Sequence, residues 1–425
     1  MLLAYQLSVF ILALLAALLT FASWGRASQF LLGIPTHQTI NSMDAWIGLV
    51  VIAGFAQFIQ LFLPLQWPIT LFFFLVALVL TLTWQRSFFY QFWISAKTVC
   101  SKHWCLALFG LLAFVLMCLG AMVPTGNYDS GLYHFGSVAW LNQHPIAIGL
   151  GNLHSRFAFN QIYFELIALL NFFPLWNKGY ALIGVLLTSL TFGTLIELRT
   201  YRPALPGILF FGSLLICALT TRDLASPIPD LGIQTIQIII FALTFLLLDQ
   251  YQRLRAVNLH FLCAVLLLCT LLVLIKLSGL LFALGTIIIL LPILKKSVSH
   301  SHGKHALIKI IALLLFFALV HLVRGYLLSG APLYPASIGA LWQLPWSMSP
   351  IAINNELQWT YSWARLPGAS PDQVLGHWQW YLPWVPGNWV TPWIKAFPLS
   401  GKLAFFIAAA TFGMHLLQRK TMKRE

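Results

Sequence analysis

Long apolar stretches with almost no charged residues constrain this chain more than any other feature. Because a helix rises about 1.5 Å per residue, about 20 apolar residues are needed to cross a bilayer. By that criterion we predict about eleven membrane-spanning helices, at residues 2–21, 45–63, 69–84, 106–123, 181–196, 205–220, 231–248, 259–275, 277–294, 306–323 and 403–417. Only 8% of the 425 residues are charged, against about 25% in soluble domains. The sequence therefore predicts an all-α, polytopic membrane protein.

The formal net charge of +14 could indicate a nucleic-acid-binding protein, but a multi-pass membrane protein explains it differently. Lys and Arg of such proteins concentrate in the loops on the cytoplasmic side. If the loop after the fourth predicted helix faces outward and the sides alternate, most of the 24 Lys and Arg residues fall inside. This alternation requires residues 161–173 to lie along the membrane interface. We therefore expect a lipid bilayer, and no nucleic acid, as partner.

Two polar segments interrupt the apolar pattern on the predicted outer side. Residues 124–178 follow the fourth predicted helix and are expected to contain interfacial helices. Residues 326–402 are rich in Trp and Pro and are expected to form an irregular outer cap, because Pro breaks regular helices. Residues 1–103 would then form additional N-terminal spans, residues 104–325 the core, and residues 403–425 a last helix with a basic cytoplasmic tail.

Asp129 is the first candidate for a catalytic residue. A carboxylate near hydrocarbon costs several kcal/mol unless it is solvated, paired or used. It could take the proton of an attacking hydroxyl, with His134 or His154 assisting. The alternative is structural, because Asp before Ser-Gly-Leu-Tyr is also a good helix N-cap. Spacing alone does not separate the two roles, but the chain has only ten acidic residues, and their scarcity on this side favours catalysis.

Several cations are expected on the same outer side, where positive charge is disfavoured. They suit an anionic group such as a lipid phosphate, since Arg offers a bidentate fork and Lys a compact point charge. Anchoring at the membrane interface is the alternative explanation for each of them. The candidate phosphate-binding residues are Arg156, Arg222, Lys276, Arg324, Arg365 and, because it follows Arg324 closely, Tyr334.

Three histidines, His300, His302 and His305, form a cluster in a basic loop predicted to face the cytoplasm. Their spacing is similar to that of metal ligands, but no Cys or acidic residue is near in sequence, so a solvated loop is favoured. Glycine patterns of the Walker and Rossmann types are absent. No cofactor is predicted, and a divalent metal is compatible with the expected chemistry without being indicated by any motif.

Several segments of the sequence resemble segments of a bacterial family of multi-pass membrane proteins. They are Asp-Ser-Gly-Leu-Tyr-His from Asp129, Gly-Leu-Gly-Asn-Leu-His-Ser-Arg-Phe-Ala-Phe-Asn from Gly149, Ser-Pro-Ile-Pro-Asp from Ser226, Lys-Leu-Ser from Lys276, and Arg-Gly-Tyr-Leu-Leu-Ser-Gly-Ala-Pro-Leu-Tyr-Pro from Arg324. These motifs are similar to those of a family of bacterial GT-C-like membrane proteins. The GT-C superfamily contains multi-pass transferases that use polyprenyl-phosphate-linked sugars, such as protein O-mannosyltransferases and aminoarabinose transferases.

The resemblance implies a GT-C-like core in the bacterial cytoplasmic membrane, with an active site that faces the periplasm. Asp129 would take the place of the superfamily's outer-loop catalytic acid, and Arg324 with Tyr334 would hold the lipid phosphate. The substrates would be a polyprenyl-phosphate-linked sugar and an acceptor hydroxyl on a glycan or another molecule. The chain departs from the superfamily in three ways: three spans precede the one before Asp129, no second carboxylate is adjacent, and the lysine-proline motif of the aminoarabinose transferases is missing.

Two other functions stay open at this point. A non-catalytic flippase or export component for lipid-linked glycans would need polar residues along a path through the bilayer. An enzyme similar to an O-antigen ligase or polymerase would depend on Arg and His of residues 324–402 and tolerate loss of Asp129. Charge near the outer helix ends, with little at mid-span, favours the transferase. The transferase hypothesis predicts that Asp129 shares one cavity with Arg324 and Lys276.

Overall fold

The computed structural model of the protein describes residues 2–35, 41–84, 104–172, 175, 177–198, 201, 221–366 and 368–384. Regular structure in these residues is helical throughout, with no β-strand among them. The predicted spans at 205–220 and 403–417 lie outside the described residues, as does the basic C-terminal tail. The helices are α1 (Leu2–Leu32), α2 (Ser42–Gln60), α3 (Trp67–Trp84), α4 (Trp104–Ala121), α5 (Phe135–Gln143), α6 (Ile162–Leu169), α7 (Gly179–Leu198), α8 (Thr221–Leu224), α9 (Pro229–Leu254), α10 (Leu259–Ile275), α11 (Leu280–Val298), α12 (Ser301–Ser329), α13 (Pro350–Arg365) and α14 (Pro371–Val374).

Six of the described helices are long and apolar enough to cross a membrane: α1, α2, α7, α9, α11 and α12. Three shorter apolar segments, Trp67–Thr83, Gly110–Ala121 and Leu259–Ile275, fall below the same length. An all-helical protein with membrane-spanning helices is therefore confirmed in its coarse form. The total of eleven spans and the GT-C-like core stay predictions.

The centre of the bundle is occupied by α2 and α10, whose side chains are buried on nearly all sides. A pair of glycines sets the crossing of α1 and α2. A Cβ placed on Gly25 would lie 1.7 Å from the Asp44 carbonyl oxygen, and one on Gly48 would lie 1.7 Å from the Phe21 carbonyl oxygen. Such backbone contact between membrane helices needs small residues on both sides. One continuous hydrophobic core extends from α1 to α12, so α1, α2 and α3 pack as part of the same body as the later helices.

Helix α6 corrects one prediction. The segment 161–173 was expected to lie at the membrane interface with a polar face toward water. The structure has a helix at Ile162–Leu169 whose eight residues, Glu165 included, are all buried. It packs against α2, α5 and α7 inside the bundle. A helix of eight residues is too short to cross a membrane, as predicted, but it is enclosed by protein because Glu165 is neutralised there by Arg324.

The helix ends define two faces of the bundle. Helices α2, α4, α10 and α12 end at one of them, which we call the site face, and α7, α9 and α11 begin there. At the opposite face, Arg26 Nη1 lies 3.8 Å from Asp44 Oδ2, and the Ser42 hydroxyl donates to Glu197 over 2.6 Å. The described cations of this opposite face are Arg26, Arg253, Arg255, Lys295, Lys296, Lys304 and Lys309.

The described part of the predicted outer cap lies beyond α12 at the site face. It is irregular from Gly330 to Ser349 and then contains the two helices α13 and α14, each of which begins at a Pro. Pro suits the first helical position because its missing N–H would have no partner there. Several of its Trp side chains are exposed, Trp378 most of all. The cap therefore contains more helix than the Pro-rich sequence predicted.

Candidate functional site

Asp129 lies where the chain leaves α4 and turns into α5. The Asn127 side chain accepts a hydrogen bond from the Asp129 backbone N–H over 2.9 Å, which forms a compact turn. Asp129 itself has helical backbone angles, φ −66° and ψ −21°, and its side chain makes no capping hydrogen bond. The N-cap alternative for Asp129 is therefore wrong, and the carboxylate is available for other contacts.

The helix that starts after Asp129 is unusual. Its first five residues, Ser130–His134, form a π-helical turn before the α-helical geometry of α5 begins. Such wider turns are rare and often occur at functional sites. A Cβ on Gly136 would lie 2.8 Å from the Phe157 ring, so this glycine lets the segment that carries Arg156 approach the turn. No motif in the sequence predicted the π-turn.

The Asp129 carboxylate pairs with Arg156. Asp129 Oδ1 lies 2.7 Å from Arg156 Nη1, and the two side chains are 41% and 29% exposed. Arg156 Nε is also 3.6 Å from Glu356 of α13, and its guanidinium carbon is 5.4 Å from the centre of the Tyr133 ring. Arg156 therefore joins the polar segment 124–178 to the cap, and its side chain stays accessible to a ligand.

The segment around Arg156 is held by two hydrogen bonds, one to His154 and one to Glu356. His154 Nδ1 accepts a hydrogen bond from the Arg156 backbone N–H over 3.2 Å and so caps the short 3₁₀ helix Ser155–Ala158. The Ser155 hydroxyl donates to Glu356 over 2.8 Å. His154 therefore positions Arg156, and its ring nitrogen Nδ1 is engaged in this structural contact rather than aimed at Asp129.

A further ion pair lies nearby. Lys276, directly after α10, is 2.6 Å from Asp230 in the first turn of α9, and both side chains are about half exposed. The loop before Asp230 is tied to the Asp129 turn by the buried hydroxyls of Ser130 and Ser226, which are 2.7 Å apart. The Ser-Pro-Ile-Pro-Asp and Lys-Leu-Ser motifs thus meet beside the motif that starts at Asp129.

His134 is the last residue of the π-helical turn. Burial lowers its pKa to about 4; Asp129 and Asp230 oppose this shift, while Arg156 and Lys276 add to it. Its side chain is only 1% exposed, and Nδ1 has no hydrogen-bond partner among the described residues. His134 is therefore neutral at pH 7 and lies beneath the site. Its predicted role as a group that touches substrate is corrected accordingly.

Arg324 does not lie in the accessible part of the site. Its guanidinium is 3% exposed and pairs with Glu165 over 2.6 Å. It also donates to the side-chain oxygens of Gln60 and Asn160. A buried guanidinium with these partners cannot reach a lipid phosphate, so the prediction for Arg324 is wrong. The pair borders a small cavity of about 30 Å³ lined mostly by apolar side chains.

The remaining phosphate-binding candidates are scattered. Tyr334 is 5% exposed and its ring centre lies 5.5 Å from that of Phe159. Burial raises the pKa of its hydroxyl, Glu356 adds to this, and Arg156 opposes it. Arg365 stacks on the Tyr361 and Trp380 rings of the cap. The side chain of Arg222, a residue of α8, lies outside the described part of the structure.

The acidic residues that pair with these cations were not predicted from the sequence. Asp230, Glu165 and Glu356 each neutralise a cation that had been assigned to a phosphate. The signal was present, because Glu165 sits in an apolar run and a buried carboxylate needs a partner. Among the described residues, no group of three or more His, Cys, Asp or Glu is arranged to hold a metal ion.

The fold and the site together define an all-helical membrane protein with paired charges around a π-helical turn at one face. The sequence matches a family profile over residues 7–424, described as Domain of unknown function (DUF8201). The chain belongs to this family. No curated protein and no solved structure matches it.

Proposed function

We propose that the protein is a membrane glycosyltransferase that moves a sugar from a polyprenyl-phosphate donor to an acceptor hydroxyl. The observation that carries the proposal is the Asp129–Arg156 pair. Its carboxylate is free of any capping role, both partners are partly exposed, and the pair stands at a π-helical turn. A carboxylate beside a cation at a membrane surface suits a reaction that removes a proton from one oxygen and leaves charge on a phosphate oxygen.

In this reaction the acceptor oxygen forms a bond with the anomeric carbon of the sugar, and the bond from that carbon to the phosphate oxygen breaks. Asp129 takes the proton of the acceptor hydroxyl. The polyprenyl phosphate leaves with the electron pair and is neutralised by Arg156 and Lys276, the exposed cations of the site. A phosphate that draws Arg156 away from Asp129 also frees the carboxylate to act as a base.

The proposal orients the site face toward the periplasm and the opposite face toward the cytoplasm of a bacterial inner membrane. The described cations of the opposite face support this orientation, because Lys and Arg are retained on the cytoplasmic side. The site face balances its cations with Asp129, Asp230, Glu165 and Glu356. Accessibility of single cysteines introduced at Asp372 and at Lys304 to a membrane-impermeant maleimide in intact cells tests the orientation.

The test of the reaction uses membranes that contain Asp129→Asn, which keeps the shape of the side chain and removes its charge. A radiolabelled polyprenyl-phosphate hexose is supplied, and transfer of label from the lipid to a water-soluble or protein-bound product is measured. We expect a fall of about 10²–10⁴ in rate, the usual contribution of a positioned base. Asp372→Asn, an exposed acid of the cap, is the matched control and should transfer normally. Normal transfer by well-folded Asp129→Asn would refute the mechanism.

A non-catalytic flippase for lipid-linked glycans is the second candidate, and one observation favours it. The buried pair Glu165–Arg324 is joined through Asn160 to Gln57 and His321 inside the bundle. Ionisable residues inside membranes often mark transport paths. This function predicts that lipid-linked sugar crosses vesicle membranes without being consumed, and that Asp129→Asn does not stop the crossing. An enzyme similar to an O-antigen ligase or polymerase, centred on residues 324–402, stays a prediction from the sequence.

A further inference from the structure

A cavity of about 710 Å³ lies at the opposite face, where the α9–α10 and α11–α12 connections meet. Its size falls within the range of about 300–1,000 Å³ that is usual for small-molecule sites. The polar side chains that line it are Arg255, Asn258, His260, Lys296, Ser297, His300 and His302. No Asp or Glu is among the described residues of its wall. The cavity is therefore a concave surface with only neutral or positive polar groups.

Close packing builds this cavity. A Cβ on Gly303 would lie 2.4 Å from the Ser297 carbonyl oxygen, so the glycine brings the start of α12 against the end of α11. His300 Nδ1 lies 3.1 Å from the Lys296 carbonyl oxygen. On the other wall, His260 is buried and its Nδ1 lies 3.2 Å from the Pro35 carbonyl oxygen. Two histidines of the sequence cluster, His300 and His302, thus line the cavity.

Arg255 is held at the rim by an unusual backbone. It has a φ of +50°, in the left-handed region that residues other than Gly adopt at a cost. Its guanidinium carbon is 5.7 Å from the centre of the Tyr251 ring, which fixes the side chain further. Arg255 and Lys296 therefore supply two cationic side chains to the lining of one cavity.

We propose that this cavity binds the phosphate group of an anionic ligand, either the headgroup of an anionic phospholipid or a soluble phosphorylated compound. Arg and Lys are the side chains that phosphate selects, and histidine and Asn side chains supply further donors. The concentration of Lys and Arg on the cytoplasmic side accounts for the number of cations here. This concentration of positive charge does not explain why Arg255 and Lys296 line one cavity whose described wall contains no carboxylate. This inference is independent of the function proposed for the site face.

The experiment uses two neighbouring lysines. Lys296 lines the cavity, whereas Lys295, one residue earlier in the same helical turn, does not. Lys296→Gln and Lys295→Gln therefore remove the same charge from the same face. One arm titrates the detergent-solubilised full chain with phosphatidylglycerol, with phosphatidylcholine as reference, and counts retained lipid by native mass spectrometry. The other arm titrates the same proteins with inorganic pyrophosphate by calorimetry.

We expect Lys296→Gln to weaken binding about threefold to tenfold in at least one arm, the loss of one partly exposed charge contact, while Lys295→Gln binds as the wild type does. An effect in the lipid arm identifies a headgroup site, and an effect in the pyrophosphate arm identifies a site for a soluble phosphorylated compound. Arg255→Gln should weaken binding in the same arm. Equal losses from both lysine variants, or no loss from Lys296→Gln in either arm, would show that no specific site exists.

Discussion

The buried pair between Glu165 and Arg324 offers the most direct test of how the structure holds its site together. Both side chains are at most 3% exposed, and their charged atoms are 2.6 Å apart. Glu165→Gln keeps a hydrogen-bond acceptor of the same shape beside the guanidinium but removes the charge that neutralises it. The guanidinium cannot lose its proton, so the variant leaves a charge buried between α6 and α12.

The expected cost follows from that burial. Breaking a buried ion pair by removing one partner costs about 3–5 kcal/mol, because the remaining charge has lost its compensation. Gln60 and Asn160 still accept hydrogen bonds from Arg324, which favours the lower end of the range. Arg324→Gln alone should also destabilise, whereas Glu165→Gln combined with Arg324→Gln removes both charges and should recover at least about half of the loss.

The assay is unfolding of the detergent-solubilised protein, by heat and by denaturant, for the wild type, both single variants and the double variant. Asp249→Asn is the matched control, because Asp249 pairs with Arg253, whose side chain is 58% exposed, near the end of α9, and pairs open to solvent contribute under about 1 kcal/mol. The reasoning is refuted if Glu165→Gln is as stable as the control, or if the double variant is no more stable than the worse of the two single ones.

Two further predictions concern the site. The lowered pKa of His134 means that the folded protein disfavours the protonated ring. The stabilising contribution of the neutral ring is therefore complete above about pH 6.5 and is lost as the pH falls toward 4. Between those pH values, the stability of His134→Phe in denaturant unfolding should depend less on pH than that of the wild type, and an unchanged dependence would contradict the burial of His134. A Cβ on Gly151 would lie 2.5 Å from the Met348 sulfur, while one on Gly131 meets nothing within 4 Å. Gly151→Val should therefore displace the Arg156 segment and abolish sugar transfer, and Gly131→Ala should leave it intact; equal transfer by both would show that the Arg156 segment need not be fixed.

The bundle could be predicted from the sequence because burial in lipid and burial in protein require the same residues. Apolar runs predicted the positions of α2, α3, α4, α7 and α10 to within three residues, whereas α9 and α12 extend five or six residues beyond their predicted ends. Residues 161–173 were assigned to the interface because of Glu165, Asn171, Pro174 and the alternation of loops, and these features do not show that α6 is enclosed by protein. Its burial depends on Arg324, a residue far away in the chain.

Single residues of the site could be predicted from the sequence, but their contacts with one another could not. Asp129 and Arg156 were each named from the sequence, but as a base and a phosphate ligand with no mutual contact. Their pairing depends on the π-turn and on the close approach of Phe157 to Gly136, and neither has a pattern in the sequence. Asp129 was expected to share a cavity with Arg324 and Lys276. In the structure it contacts Arg156 instead, while Lys276 pairs with Asp230.

The glycine crossing of α1 and α2 has a consequence for how the protein is assembled. Since the N-terminal part of a chain is synthesised first, these two helices can lock together before any residue of the site exists. Gln57 and Gln60 project from α2 toward the side chains of Asn160 and Arg324. The first hairpin is thus a template on which the later helices are aligned, and a bulky residue at Gly25 or Gly48 would displace the contacts of α2 with side chains a hundred residues or more downstream.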